Sequence, residues 1–282
     1  YFHVFPPSTA ITRAISLAEM VDGDRSPYYG SRVKLEFARF LLLSGDQGKG
    51  MELLEDCLKT SKEGLFKLLT AEAGLLYGEF SEDDEVAIET LKEVQKSASI
   101  LRNTLLLSKA GSILGERMVG IGDKKGIDQM INSAGMLEEI EGKMASSEVY
   151  LAASLHSIRA NDPIRGIQIA KEVYKKVRSI RDRELLTKVL CILFYGYIKA
   201  DERSKAKKLL LDIVTEYPVK QFPETYAILR EAVRDVTWLR EDKSTSELFE
   251  EETIYRISRD AVDEIKVRAR EAYPNEFGAM LR

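Results

Sequence analysis

The sequence predicts an all-α fold, a right-handed solenoid of antiparallel helix pairs, with a short α+β appendage at its C-terminal end. Three observations carry this. Apolar residues recur at intervals of three and four, not two, along most of the chain. Seven prolines and a scarcity of alternating β-branched runs leave little room for a sheet. Small residues return at a period of 37 to 40 on successive helical stretches, the mark of a repeat architecture.

One set of helices is read from Met51-Glu-Leu-Leu-Glu-Asp-Cys-Leu-Lys, whose apolar positions 51, 53, 54, 57 and 58 share a face. Its counterparts follow Val86, Ile127, Ile167 and Lys208. Each carries a small residue near its start: Gly50, Ala87, Gly126, Gly166 and Ala206. An aspartate precedes each by three to five positions: Asp46, Asp83 or Asp84, Asp123, Asp162 and Asp201. A carboxylate there accepts hydrogen bonds from the free N–H groups of the first helical turn. In Asp162-Pro163 the cap is followed by proline at the first helical position.

A second set lies between them, over 33–44, 65–80, 100–118, 147–160 and 184–200. It carries Ala38, Gly74, Gly111, Ser154 and Gly196. Glycine inside a helix costs about 1 kcal/mol against alanine, so its recurrence points to close helix–helix approach. A helix over Pro223 to Arg240, holding the sole tryptophan, Trp238, is expected to close the apolar seam.

This organisation resembles the tetratricopeptide repeat family. The matching residues are the paired small positions, such as Ala38 with Gly50 and Ser154 with Gly166, and the phrase Ser44-Gly-Asp-Gln-Gly-Lys-Gly-Met-Glu-Leu-Leu. The period exceeds the family's 34, and the expected Trp and Pro positions are mostly unfilled. The resemblance implies a domain over 1–240, with repeats from about residue 8, and a concave face lined by the first helix of each pair. Taking the small residues as register marks, Arg39, Ser108, Ser112, Arg159 and Tyr197 are the expected groove-facing polar residues.

Beyond Arg240 the pattern changes. Residues 241–251 have a linker's composition. Thr253-Ile-Tyr-Arg-Ile-Ser alternates like a strand, Ser258 and Asp260 suit a helix start, Pro274 ends that helix, and Glu276-Phe-Gly-Ala-Met-Leu-Arg reads as a second strand. The segment 252–282 resembles the opening of the JAMM (MPN) metalloprotease domain, through Arg256-Ile-Ser-Arg-Asp-Ala-Val-Asp-Glu-Ile and Ala269-Arg-Glu-Ala-Tyr-Pro-Asn-Glu-Phe-Gly-Ala-Met-Leu. The resemblance implies that Glu276 matches that family's general base. It also implies zinc held by a His-x-His pair and an aspartate. The two histidines, His3 and His156, both lie outside the tail, so no zinc, and no cofactor, is expected on this chain, which is read as a non-enzyme. Zinc is left to a longer parent protein, an expectation that agrees with a start on Tyr1 rather than Met.

Other chemistry is sparse. Net charge is −4 with 31% charged residues of both signs, which gives no basic footprint for nucleic acid. No apolar run approaches the roughly 18 residues a membrane span needs. Cys57 and Cys191 sit singly in apolar helical stretches, the setting of reduced buried thiols. The start Tyr1-Phe-His-Val-Phe-Pro-Pro lacks the basic-then-apolar build of a signal peptide, so a cytoplasmic location is expected. Gly120-Ile-Gly-Asp-Lys-Lys-Gly lacks a complete phosphate-loop pattern and reads as a turn between helices. His156 is expected in the interior or groove, and at least one of Tyr195 and Tyr197 in the core.

The expected function is a protein-interaction scaffold that binds a peptide or partner protein in a concave groove, as the N-terminal adaptor of a JAMM-type protease acting on ubiquitin-like conjugates. The second reading is a structural scaffold that self-associates into a homo-oligomer.

Overall fold

In the computed structural model of the chain, the described residues are 26–178, 182–234, 236 and 238. Among them are eleven α-helices and no strand. The helices are α1 (Pro27–Leu43), α2 (Gln47–Glu63), α3 (Lys67–Phe80), α4 (Asp84–Ile100), α5 (Thr104–Gly120), α6 (Lys125–Ile140), α7 (Lys143–Arg159), α8 (Pro163–Val177), α9 (Arg183–Lys199), α10 (Arg203–Glu216) and α11 (Pro223–Val233), with a 3₁₀ turn at Val219–Gln221 before the last. The tail at 241–282, with its expected strands and Glu276, lies outside the described residues. The expected closing helix is shorter than its sequence pattern: α11 ends at Val233.

The helix ends show why the chain turns where it does. In the turns leaving α1, α5, α7 and α9, one residue adopts positive φ: Gly45 (90°), Gly122 (87°), Asn161 (66°) and Asp201 (54°). Its N–H and the next one fold back on carbonyls of the last helical turn, as in Gly45 to Leu42 and Asp46 to Leu41. This is the Schellman closure, which satisfies carbonyls a helix end otherwise leaves free. The following residue then begins the next helix. Asp46, Asp83 and Asp162 cap as expected, accepting from Lys49, Glu85 with Val86, and Arg165. Asp123 accepts from Lys125 N–H one step earlier.

Asp201 corrects the expectation. It occupies the left-handed position itself, and Glu202 stands in the cap place without a side-chain cap bond. Two caps lacked a sequence reading: Asn103 accepts from Leu106 N–H at 3.0 Å and Asp182 from Leu185 N–H at 2.9 Å. The Gly120–Gly126 stretch is the turn between α5 and α6, as expected.

From α1 to α10 each helix packs on the next, and odd-numbered helices also pack on the next odd-numbered one (α1 on α3, α3 on α5, and so to α9 on α11) far more than even-numbered helices do on each other. All eleven belong to one unit, Leu17–Thr237. The core is a chain of overlapping clusters. Leu35, Ala38, Leu42, Leu54, Cys57, Leu69, Ala73 and Leu76 join α1 to α3, and Ile88, Leu91, Val94, Leu106 and Leu114 join α4 to α5. Each helix therefore buries its stripe only against near neighbours, as expected of a solenoid.

The small residues mark the closest approaches. A Cβ on Gly50 would meet Leu42 Cγ at 2.6 Å, and one on Gly166 would meet the Ser154 carbonyl oxygen at 2.8 Å. Ser154 Oγ donates back to the Gly166 carbonyl at 2.7 Å, so that pair is bonded as well as close. The partner of Gly126 is Gly115, not the expected Gly111: a Cβ on Gly115 would stand 2.5 Å from the Gly126 carbonyl oxygen. Gly111 instead faces Ser133 and Gln129 of α6 and Gln95 of α4. Cys57 and Cys191 are fully buried. Burial is the main reason their thiols are pushed up, to about 11 and about 12, so both pack as small hydrophobes.

Candidate functional site

Because successive odd-numbered helices lie closer together than the even-numbered ones, their outer face is the concave one. Equivalent positions on it can be found by stepping one repeat at a time. Arg39 (α1), Glu79 (α3), Glu116 (α5), His156 (α7), Tyr195 (α9) and Glu231 (α11) are separated by 40, 37, 40, 39 and 36 residues. Each is thus carried by one helix of the concave wall.

Neighbours along this row feel one another. Glu79 and Glu116 are exposed to solvent, yet both carboxyls are pushed above the usual carboxylate range. The first cause in each case is the protein wall, which displaces water from the charged form. Glu79 adds repulsion to Glu116, while Arg39 and Arg117 favour ionised Glu79. A group that is exposed and yet partly desolvated is what a concave surface produces: one side is open, and protein crowds the rest. His156, half-buried, is pushed down by desolvation first and by the Arg159 charge second.

At the far end the row is bonded. Tyr195, buried to 5% exposure, donates its hydroxyl to Glu231 Oε1 at 2.9 Å. Arg159, in the last turn of α7, donates from Nε to Glu231 Oε1 at 3.0 Å and from its terminal nitrogen to Oε2 at 2.5 Å. These bonds hold the Glu231 carboxyl below its usual range, chiefly through Arg159, against an opposing push from desolvation.

A second row runs parallel. Arg32, Glu72, Lys109, Glu148 and Lys188 recur at spacings of 40, 37, 39 and 40 with charge alternating from helix to helix. Arg32 pairs with Glu72, and Lys188 with Glu148 at 2.7 Å. Lys109 turns instead to Glu141 at 3.4 Å. Arg117 ties α5 to the end of α3 and the start of α4, donating to the Gly78 and Glu79 carbonyls and to Asp84 Oδ1.

The residues expected in the groove divide. Arg39 and Arg159 have side chains more than two-fifths exposed and belong to the concave wall. Ser108 and Ser112 are buried, and Ser108 Oγ donates to the Thr104 carbonyl at 2.7 Å. A serine bonded to its own helix acts as a small packing residue, so Ser108 offers a partner nothing. Tyr197 lies between the Lys171 ammonium of α8 and the Lys205 ammonium of α10, each 5.6 Å from its ring, and so turns toward the even-numbered helices. Of the two tyrosines, Tyr195 is the buried one. Glu79, Glu116 and Glu231 were missed, although the repeat spacing that marks the small residues also marks them.

Among the described residues no group of three His, Cys, Asp or Glu could hold a metal ion, and no helix is long and apolar enough to cross a membrane.

The fold has a solved counterpart. The chain is similar to a Signal Transduction ATPase with Numerous Domains (STAND) protein with a tetratricopeptide repeat sensor from Pyrococcus horikoshii, at a TM-score of 0.64 and 14% sequence identity. The match takes in 96% of this chain and 40% of the length of that one. At that identity the likeness is one of fold: stacked helix pairs of the tetratricopeptide kind. No family model and no curated protein matches the chain.

Proposed function

We propose that the chain is a non-enzymatic protein-interaction scaffold that receives an extended peptide or a partner's helix along the concave row. The observation that carries this is the pair Glu79 and Glu116. Both carboxylates are open to solvent and raised in pKa by the surrounding wall, and Glu79 raises Glu116 further. Charges left partly desolvated in a concavity gain most when an opposite charge arrives, which is how electrostatic complementarity selects a partner. The solved counterpart, whose repeats are described as a sensor, supports a recognition role.

Site-specific photocrosslinking tests it. A photoreactive residue at Glu79 or Glu116 should trap a protein partner in cells, one at Lys92 on α4 should not, and Glu79→Lys with Glu116→Lys should abolish the adduct. Equal trapping from Lys92 would sink the reading. An adduct consisting of a second copy of this chain would favour the self-associating scaffold instead. We further propose a cytoplasmic location, with which the free thiols of Cys57 and Cys191 agree. We read 1–240 as the interaction domain, with 241–251 as a linker. The link to a JAMM-type protease rests on the 256–281 phrase alone, and a His-x-His pair encoded downstream of Arg282 is its test.

A further inference from the structure

Arg159, Tyr195 and Glu231 stand on three helices, and the outer two, α7 and α11, lie on opposite sides of α9. The Arg159–Glu231 contact therefore crosses over α9 on the concave side and joins residues 72 positions apart. Three donor bonds converge on one carboxylate: two from the guanidinium and one from the phenol. The Lys199 ammonium lies 5.6 Å from the Tyr195 ring and adds its charge to the field at Glu231. Elsewhere in the same row Glu79 and Glu116 repel; here the row supplies its own counter-ion.

The chemistry of the donors does not require that the carboxylate come from this chain. A planar guanidinium with two parallel N–H groups receives any carboxylate in the same way. Both charged partners are accessible, with side chains 42% and 37% exposed, so a competitor can reach them without opening the core. The strap is also short: α11 spans 11 residues and enters through a proline and the 3₁₀ turn rather than a full helical hairpin.

We propose that Arg159, Tyr195 and Lys199 form a carboxylate-receiving site on the concave face, filled from within by Glu231, so that an acidic segment of a protein partner displaces the Glu231 carboxylate and loosens α11, the strap that carries it. This rests on the proposed role of the concave face, and it specifies the chemistry of one stretch of the partner.

The test uses the full chain and a capped hexaglutamate peptide at low ionic strength, with two readouts: peptide affinity, and amide hydrogen exchange over 223–233. Glu231→Gln keeps the side chain's size but weakens the internal occupant. It should bind the peptide about tenfold more tightly than wild type, since a site closed most of the time lowers the apparent affinity by its open fraction. Exchange in α11 should rise in Glu231→Gln, and in wild type when the peptide is added. Arg159→Gln in the Glu231→Gln background should remove peptide binding. The exchanged pair Arg159→Glu with Glu231→Arg should close the strap again without binding the peptide.

Equal affinity for wild type and Glu231→Gln, or binding that survives loss of Arg159, overturns the proposal. So does an α11 whose exchange ignores the peptide. None of these results touches the crosslinking at Glu79 and Glu116, so the strap can fail while the groove reading stands.

Discussion

The seam between paired helices and the concave row of the odd-numbered helices share one period but obey different rules. In the seam the repeat fixes size. Gly50, Gly126 and Gly166 stand where a Cβ would strike a neighbouring helix, and Ala87 and Ala206 are fully buried. In the row the repeat fixes only place: Arg39, Glu79, Glu116, His156, Tyr195 and Glu231 differ in charge, size and hydrogen bonding. Packing makes the seam nearly uniform, because every hairpin solves the same steric problem. Water and a partner act on the row, so each member can differ. Substitutions in the two regions should accordingly differ in cost.

The largest effect is expected in the seam's apolar filling. Leu91 is fully buried and lies over Gly78. Leu91→Ala should cost about 2–5 kcal/mol, the range for truncating a buried leucine, read from the shift of a urea unfolding midpoint. A loss below about 1 kcal/mol would mean that α3 and α4 close over the gap and that the seam is soft. Gly126→Ala comes next. Its new methyl would meet the Gly115 carbonyl, and backbone cannot rotate aside, so about 1–3 kcal/mol is expected. Gly48→Ala is the control. Nothing lies within 4 Å of its added carbon, so it should be neutral or slightly stabilising.

The caps give smaller effects and separate two readings of similar residues. Asp83 accepts from two N–H groups at 2.9 and 3.1 Å, and Asp83→Ala should cost about 1 kcal/mol. Asp201 caps nothing and holds φ at 54°, so Asp201→Gly should be neutral or stabilising, because glycine enters that conformation freely. A cost for Asp201→Gly equal to that of Asp83→Ala would restore Asp201 as a cap.

This contrast also explains what could be read from the sequence. Helix identity and the period were legible because Gly50, Ala87, Gly126, Gly166 and Ala206 repeat a residue class, and class survives in one dimension. Gly115 was missed because Gly111 lies one helical turn before it, and both are glycines on one helix. Asp201 was misread because an aspartate beside a turn suits both the left-handed position and the cap, and only φ separates them. The register of the small residues points Ser108 at the groove, but its hydroxyl is satisfied by its own helix and the residue is buried. The row was harder still. Its members share spacing without sharing chemistry, and no composition rule links Glu116 to His156. Tyr195 and Tyr197 are two residues apart, so they point to different sides of α9, and the choice between them needed the positions of α8, α10 and α11.

The smallest effect is the most specific, because two carboxylates in one row should respond to pH in opposite senses. Glu231 is held down by Arg159 and Tyr195. Its contribution to stability is present above the unfolded carboxylate pKa, about 4.3, and is lost as pH falls through its lower folded value. Glu116 is raised by desolvation and by Glu79. The folded chain therefore binds its proton more readily than the unfolded chain does. Stability falls as pH rises through the window from the unfolded value up to the raised one, and the cost persists above it. Relative to wild type, Glu116→Gln should thus gain stability between pH 4 and pH 7, whereas Glu231→Gln should lose it. Both groups are substantially exposed, so screening limits each difference to roughly a few tenths of a kcal/mol. Parallel urea titrations of the two variants at both pH values would resolve the sign. Slopes of the same sign would show that Glu116 is relieved by a cation or donor not seen among the described residues. That would remove the raised, partly desolvated charge on which the proposed recognition by the concave face depends, and would leave the seam untouched.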